Sequence, residues 1–124
     1  MYKLFSPIIA VALAATSPVA LAEYFTSNHL LGACQNTLDV FSGKSPSGPQ
    51  NYSPQYCVGV IDSVVNTNVL SVMTGNKPLM CVPDVDRATK IGHVVRYLRK
   101  NGPTSDPVTA VVFALSEAYP CKRG

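Results

Sequence analysis

The sequence predicts an all-α domain: a compact bundle of four helices stapled by two disulfides. Three observations carry this expectation. Apolar residues recur at i, i+3, i+4 and i+7 along successive stretches. Residues able to cap a helix precede those stretches, and glycines follow them. Four cysteines, Cys34, Cys57, Cys81 and Cys121, lie spread along the chain, an even count that in a small exported domain reads as two crosslinks.

The first helix carries Leu30, Leu31, Cys34, Leu38 and Phe41. Ser27 or Asn28 can cap its start, and Gly43 ends it. Residues 43–55 then form a polar loop rich in proline, glycine and serine, with no reason to be regular. A second helix is expected from Pro54 to Thr74, with Gly75 beyond its end and a stripe of Val58, Ile61, Val65, Val69 and Val72. Its valines would also suit a strand. Helix is favoured because the spacing is helical and the run is too long for an ordinary strand. The third helix has Asp86 as its cap, Thr89 three residues on, a stripe of Ile91, Val94, Val95 and Leu98, and the stop Asn101-Gly102-Pro103. The fourth begins with Asp106 as cap and Pro107 in the first turn, ahead of Val108, Val111, Val112 and Leu115. Proline is tolerated there because its missing N–H would be unpaired anyway.

The N-terminus reads as an export signal. Met1-Tyr2-Lys3 is a short positive start, an apolar run reaches Leu21, and Ala20-Leu21-Ala22 precedes Glu23. Cleavage is expected after Ala22. Residues 1–22 form the signal peptide and residues 23–124 one domain. Pro7, Pro18 and the small-residue end argue against a retained anchor. Of the 124 residues 102 then remain, and the charge falls from +3 to +2 because Lys3 is the only charged residue removed. With no lysine- or arginine-dense run, nucleic acid is not an expected partner. No membrane-spanning apolar run is expected in the mature chain.

Four cysteines allow three connectivities. The expected pairing is Cys34–Cys57 with Cys81–Cys121, since each bond then ties neighbouring helical elements. A crosslink of such loop lengths stabilises by roughly 2–4 kcal/mol. Zinc is the competing reading, but such sites usually contain a close pair such as C-x-x-C. The cysteines here are more than twenty residues apart, and there are only two histidines, His29 and His93. No metal and no cofactor is expected.

Catalytic chemistry finds no assembled constellation. Asp62 lies within the second helix's apolar stripe, where a carboxylate needs a partner; an ion pair with an arginine is the structural reading. A catalytic acid would want a second carboxylate nearby. Gly59 is expected where another helix approaches closely. His93, Arg96 and Lys100, flanked by Lys90 and Arg99, form a basic face on the third helix. Such a face is either solvated surface or a docking surface for an acidic patch. Tyr97 and Tyr119 are expected to pack beside the apolar faces. Tyr52 and Tyr56 flank the long loop, where exposed aromatics can anchor a partner; for Tyr56, at the start of the second helix, burial is the alternative.

Cys81-x-Pro83, Val94-Val95-x-Tyr97-Leu98 and Ala114-Leu115-x-x-Ala118-Tyr119-Pro120-Cys121 resemble the signature of Rap/Tai-type immunity proteins. Tyr56-x-x-Gly59-Val60-Ile61-Asp62 resembles the second-helix motif of the same family, so the likeness spans most of the mature chain. Two departures stand out. The second-helix cysteine follows the tyrosine, at Cys57, where the family often has it near position 53; Thr89-Lys90 occupies a place where a glutamine is common. The resemblance implies a periplasmic, non-enzymatic homodimer that binds a peptidoglycan amidase effector of type VI secretion and occludes its active site. The alternative is a periplasmic stress chaperone or structural helical domain without enzymatic activity. An inhibitor needs a rigid protruding element, and the 76–86 connection and the 101–105 turn are rich in the residues of exposed turns. Asp84, Asp86, Asn101, Thr104 and Ser105 are the expected partner-binding residues.

Overall fold

A computed structural model describes residues 26–46, 52–102 and 106–122. Within them lie four α-helices and no strand: α1 Ser27–Phe41, α2 Pro54–Met73, α3 Arg87–Asn101 and α4 Pro107–Ala118. The expected signal peptide lies outside the described residues. Helix α1 packs on α2 and α3, while α4 packs on α3 and α2. Between them sits a single core of Leu30, Ile61, Met80, Ile91, Val94 and Leu115. Both expected disulfides are present, Cys34–Cys57 and Cys81–Cys121.

The caps follow the sequence with one correction. Asp86 accepts from the Thr89 amide at 2.7 Å and Asp106 from the Thr109 amide at 3.0 Å, each holding its helix start. Helix α1 is capped one residue earlier than expected, by Thr26, whose hydroxyl accepts from the His29 amide at 3.2 Å. Ser27 is already helical and buried, so its side chain faces the protein and is not available as a cap. At the helix ends Gly43 (φ 71°), Gly75 (φ 92°) and Gly102 (φ 74°) adopt left-handed backbone, which a side chain would disfavour.

The buried line of α2 is rotated from the expected stripe. Cys57, Ile61 and Val64 are buried, Val58 and Val65 are half-buried, and Val69 and Val72 are exposed. The bond from Cys57 to buried Cys34 fixes which face turns inward. One turn beyond Val64 the same line reaches Asn68, which binds loop backbone, and the apolar contact ends there. Helix α2 also corrects the expectation about membrane-spanning length: by length and apolarity alone it could cross a bilayer. Its polar residues are mostly small, and Asp62 is its one charged residue.

Other stripe residues move outward too. Phe41 and Val108 are each about half exposed, whereas Ala110 and Ala114 are buried. Small residues let α4 lie close to its neighbours. Asp62 is half-buried and pairs with Arg87 at 2.9 Å, linking α2 to the first residue of α3. An ion pair this accessible contributes at most about 1 kcal/mol.

Gly59 is a further correction: it is exposed, and a Cβ there would meet open space. The close approach is at Gly32, where a Cβ would overlap the Tyr52 ring. Tyr52 belongs to the returning end of the long loop, which α1 holds with two buried polar residues. Asn36 donates to the Tyr52 carbonyl at 3.1 Å, and the Thr37 hydroxyl contacts the Pro54 carbonyl at 3.3 Å. Tyr52 and Tyr56 are therefore half-buried packing residues, not free loop anchors. Their rings lie 4.2 and 5.0 Å from that of His29. Burial pushes the His29 imidazole below its ordinary value of 6.5.

Candidate functional site

The 76–86 connection is an exposed segment fastened at several points. Asn68 of α2 grips its backbone from both sides: its amide donates to the Met80 carbonyl at 2.9 Å, and its oxygen accepts from the Leu79 N–H at 2.8 Å. Ser116 of α4 donates to the Leu79 carbonyl at 3.2 Å. Cys81 donates its N–H to the Tyr119 carbonyl at 2.9 Å and is bonded through sulfur to Cys121. Met80 plugs the core at 1% exposure while its neighbour Leu79 is 66% exposed. The outcome is a crest with a fixed base and a projecting apolar side chain.

The acidic residues follow the crest. Asp84 and Asp86 are both exposed. Hydrogen bonds from Thr89 hold the Asp86 carboxyl below the usual carboxylate range. Asp86 is thus largely committed to its cap, and Asp84 is the acid that faces outward without a structural duty among the described residues.

The other expected contact segment lies elsewhere. Asn101 is exposed, and its amide is engaged by the Tyr97 carbonyl at 2.9 Å. Thr104 and Ser105 lie outside the described residues. Helix α3 separates Arg87 from Asn101 by roughly 21 Å at 1.5 Å per residue. The 76–86 connection and Asn101 therefore lie at opposite ends of α3.

Matching family features join this geometry to a known group. The family model of the Rap1a immunity proteins matches residues 26–121, most of the chain. The chain belongs to the Rap1a immunity protein family. Comparison with curated proteins and comparison with solved structures give no match. In this Rap1a-family chain the match runs from the α1 cap to the last cysteine, so both staples and the crest fall inside it.

Several residues at the site were not singled out from sequence. Leu79, Met80, Asn68 and Ser116 gave little signal, because an asparagine on an apolar helix face reads as an interruption. Its placement one turn after Val64 was the available clue. Two apolar grooves of about 320 and 310 Å³ flank the crest. Val64, Val108 and Val112 line the first with Leu79, and Val69, Val72 and Met73 line the second.

The basic face of α3 is not simply solvated. His93 is half-buried, with its ring against Tyr119 at a centroid distance of 5.1 Å. Burial first, and then the Arg96 charge, lower its pKa below 6.5.

Proposed function

We propose that this chain is a periplasmic immunity protein that binds a peptidoglycan amidase effector of type VI secretion and occludes its active site. One observation carries the reading: the 76–86 crest is exposed at Leu79 and Asp84 yet anchored by a disulfide, Asn68, Ser116 and Tyr119. A segment already fixed in shape loses little freedom on entering a cleft, so more of its contact energy remains as affinity. Such an inhibitor needs no chemistry of its own. Two disulfides suit an oxidising compartment, in keeping with the export signal read at residues 1–22.

The protein acts as a homodimer in this reading. The second half of α2 supports it. Val69 is half exposed, Leu70 61% and Met73 76% exposed, and only 17% of the most apolar window of α2 is buried within the chain. Contiguous exposed apolar surface of this kind marks an interface. Sedimentation of the mature chain should give a dimer, and Met73→Glu a monomer; a wild-type monomer at micromolar concentration would remove the dimer from the reading.

The direct test is inhibition of peptidoglycan cleavage by a type VI amidase effector, sought first beside this chain's gene. Near-stoichiometric inhibition is expected, weakened by Leu79→Asp or Asp84→Ala with the far-ultraviolet spectrum unchanged. Ser45→Ala should leave it intact. Full inhibition by both crest variants would place the contact elsewhere. Failure to bind any amidase, together with protection of denatured proteins in acid, would replace the inhibitor with a chaperone.

A further inference from the structure

A groove of about 260 Å³ lies between α3 and α4, distinct from the crest. His93, Arg96 and Lys100 form its α3 wall, with Tyr97; Glu117 stands on the α4 side, and Ala114 and Ala118 leave its floor low. The charges do not cancel. Two cations face one carboxylate, and that carboxylate reaches only Lys100, at 3.9 Å with both side chains largely exposed. Arg96 has no carboxylate within ion-pairing distance among the described residues. Its Nη2 lies 3.1 Å from His93 Nδ1 and its Nε 3.3 Å from the Gly92 carbonyl. A guanidinium can only donate, so Nδ1 is the acceptor and His93 is neutral in this arrangement.

We propose that this groove is a carboxylate-binding extension of the interface, seating an acidic side chain of the same protein whose cleft the crest enters. The proposal rests on the inhibitor reading. Charge selects the ligand: one net positive charge remains in the groove, and one carboxylate cancels it. Planar carboxylate also matches the two-pronged guanidinium of Arg96. Position joins groove to crest, because Tyr119 touches the His93 ring on one side and accepts the Cys81 N–H on the other. A partner covering Cys81 therefore reaches the mouth of the groove. The charged and titratable groups sharing the groove with His93 are Arg96, Tyr97 and Lys100 from α3 and Glu117 from α4, with Tyr119 against its ring. An arriving carboxylate releases Arg96 from Nδ1 and favours protonated His93.

The test uses the mature chain and a capped triglutamate peptide, with capped triglutamine as control. Amide resonances of residues 92–100 and 114–119 should shift with triglutamate and not with triglutamine. The His93 ring should titrate at higher pH when triglutamate is present, and Arg96→Gln should abolish both effects. Shifts spread evenly over Lys44, Lys77 and Lys90, or shifts that survive Arg96→Gln, overturn the proposal. In the amidase assay the Arg96→Glu, Lys100→Glu double variant should raise Kd at least about tenfold, as for loss of a paired interfacial charge. Unchanged affinity of that variant, beside weakened binding by Leu79→Asp, overturns the groove and leaves the inhibitor reading standing. If no amidase binds at all, the inhibitor reading falls, and with it the groove's role as an extension of that interface.

Discussion

The two disulfides do different work in the same fold. Cys34–Cys57 joins two helices inside the core, with both cysteines fully buried. Cys81–Cys121 lies near the surface: Cys81 is exposed, and the bond fastens the crest to the segment after α4. The first decides which face of α2 turns inward. The second decides whether an exposed loop has a shape. Crosslinks in one small domain can thus separate folding from presentation.

Removing each staple tests that separation most strongly. Chain entropy alone favours the outer bond: loops of 40 against 23 residues differ by only about 0.5 kcal/mol. Burial favours the inner bond, since two buried sulfurs contribute roughly 0.8 kcal/mol each if treated like methylenes. The Cys34→Ala, Cys57→Ala variant should therefore lose about 5 kcal/mol and the Cys81→Ala, Cys121→Ala variant about 4 kcal/mol in urea unfolding. Only the outer variant should become sensitive to protease within 76–86 while still folded. A protected crest in that variant would mean the staple is not what shapes it.

Asn68→Ala sharpens the same point without touching sulfur. It removes the bonds to the exposed Leu79 N–H and the part-buried Met80 carbonyl, at about 0.5–1.5 kcal/mol. Faster cleavage of 76–86 should accompany the lower urea midpoint. Unchanged cleavage would show that the asparagine clamp is dispensable.

The scaffold side yields an opposed pair of substitutions. Gly32→Ala drives a methyl into the Tyr52 ring and should destabilise by about 1–3 kcal/mol. Gly59→Ala faces open space and should stabilise by roughly 0.5–1 kcal/mol. Thermal unfolding of the two variants should move in opposite directions.

Acid should give the mildest effects. The His29 pKa is depressed by burial, so the folded state binds that proton less readily than the unfolded chain. Its contribution is present above pH 6.5 and is lost as pH falls through the folded value. Asp86 and Asp106 are depressed by hydrogen bonds from Thr89 and Thr109. Their contributions are present above pH 3.8 and are lost as pH falls through the depressed folded values. His93 is depressed in the same direction, so two separate declines in the unfolding midpoint should result, the upper one reduced in His29→Gln and absent only when His93 is replaced as well.

Four helices and the caps at Asp86 and Asp106 could be read from the sequence because each rests on local chemistry, whereas the disulfide pairing rested only on the order of the helical elements the cysteines flank. Asp86 and Asp106 bond to residues three positions away, and periodicity reports on a single helix. Errors appeared where a distant contact decides. The inward face of α2 depends on Cys34, the close approach at Gly32 depends on Tyr52 twenty residues on, and the clamp at Asn68 requires Leu79 to fold back. Asp84 and Asp86 could be placed on an exposed connection, but not Leu79 at its crown. Apolarity likewise announced that α2 needed cover without saying that Val69, Leu70, Val72 and Met73, in its last turn and a half, would stay exposed among the described residues.

Helix α2 has a consequence for biogenesis as well. A chain exported through the inner membrane threads all its later segments past the translocon, which releases sufficiently apolar stretches sideways into lipid. Helix α2 is long and apolar enough to invite that fate, and near its middle stands Asp62. Its ion pair adds at most about 1 kcal/mol to the folded protein, whereas an aspartate at the centre of an inserting segment costs roughly 2.5–3.5 kcal/mol. On the proposed periplasmic reading, Asp62 matters more to the unfolded chain in transit than to the finished domain. Asp62→Val should fold almost normally in vitro yet leave a larger share of newly made protein stranded in the membrane fraction.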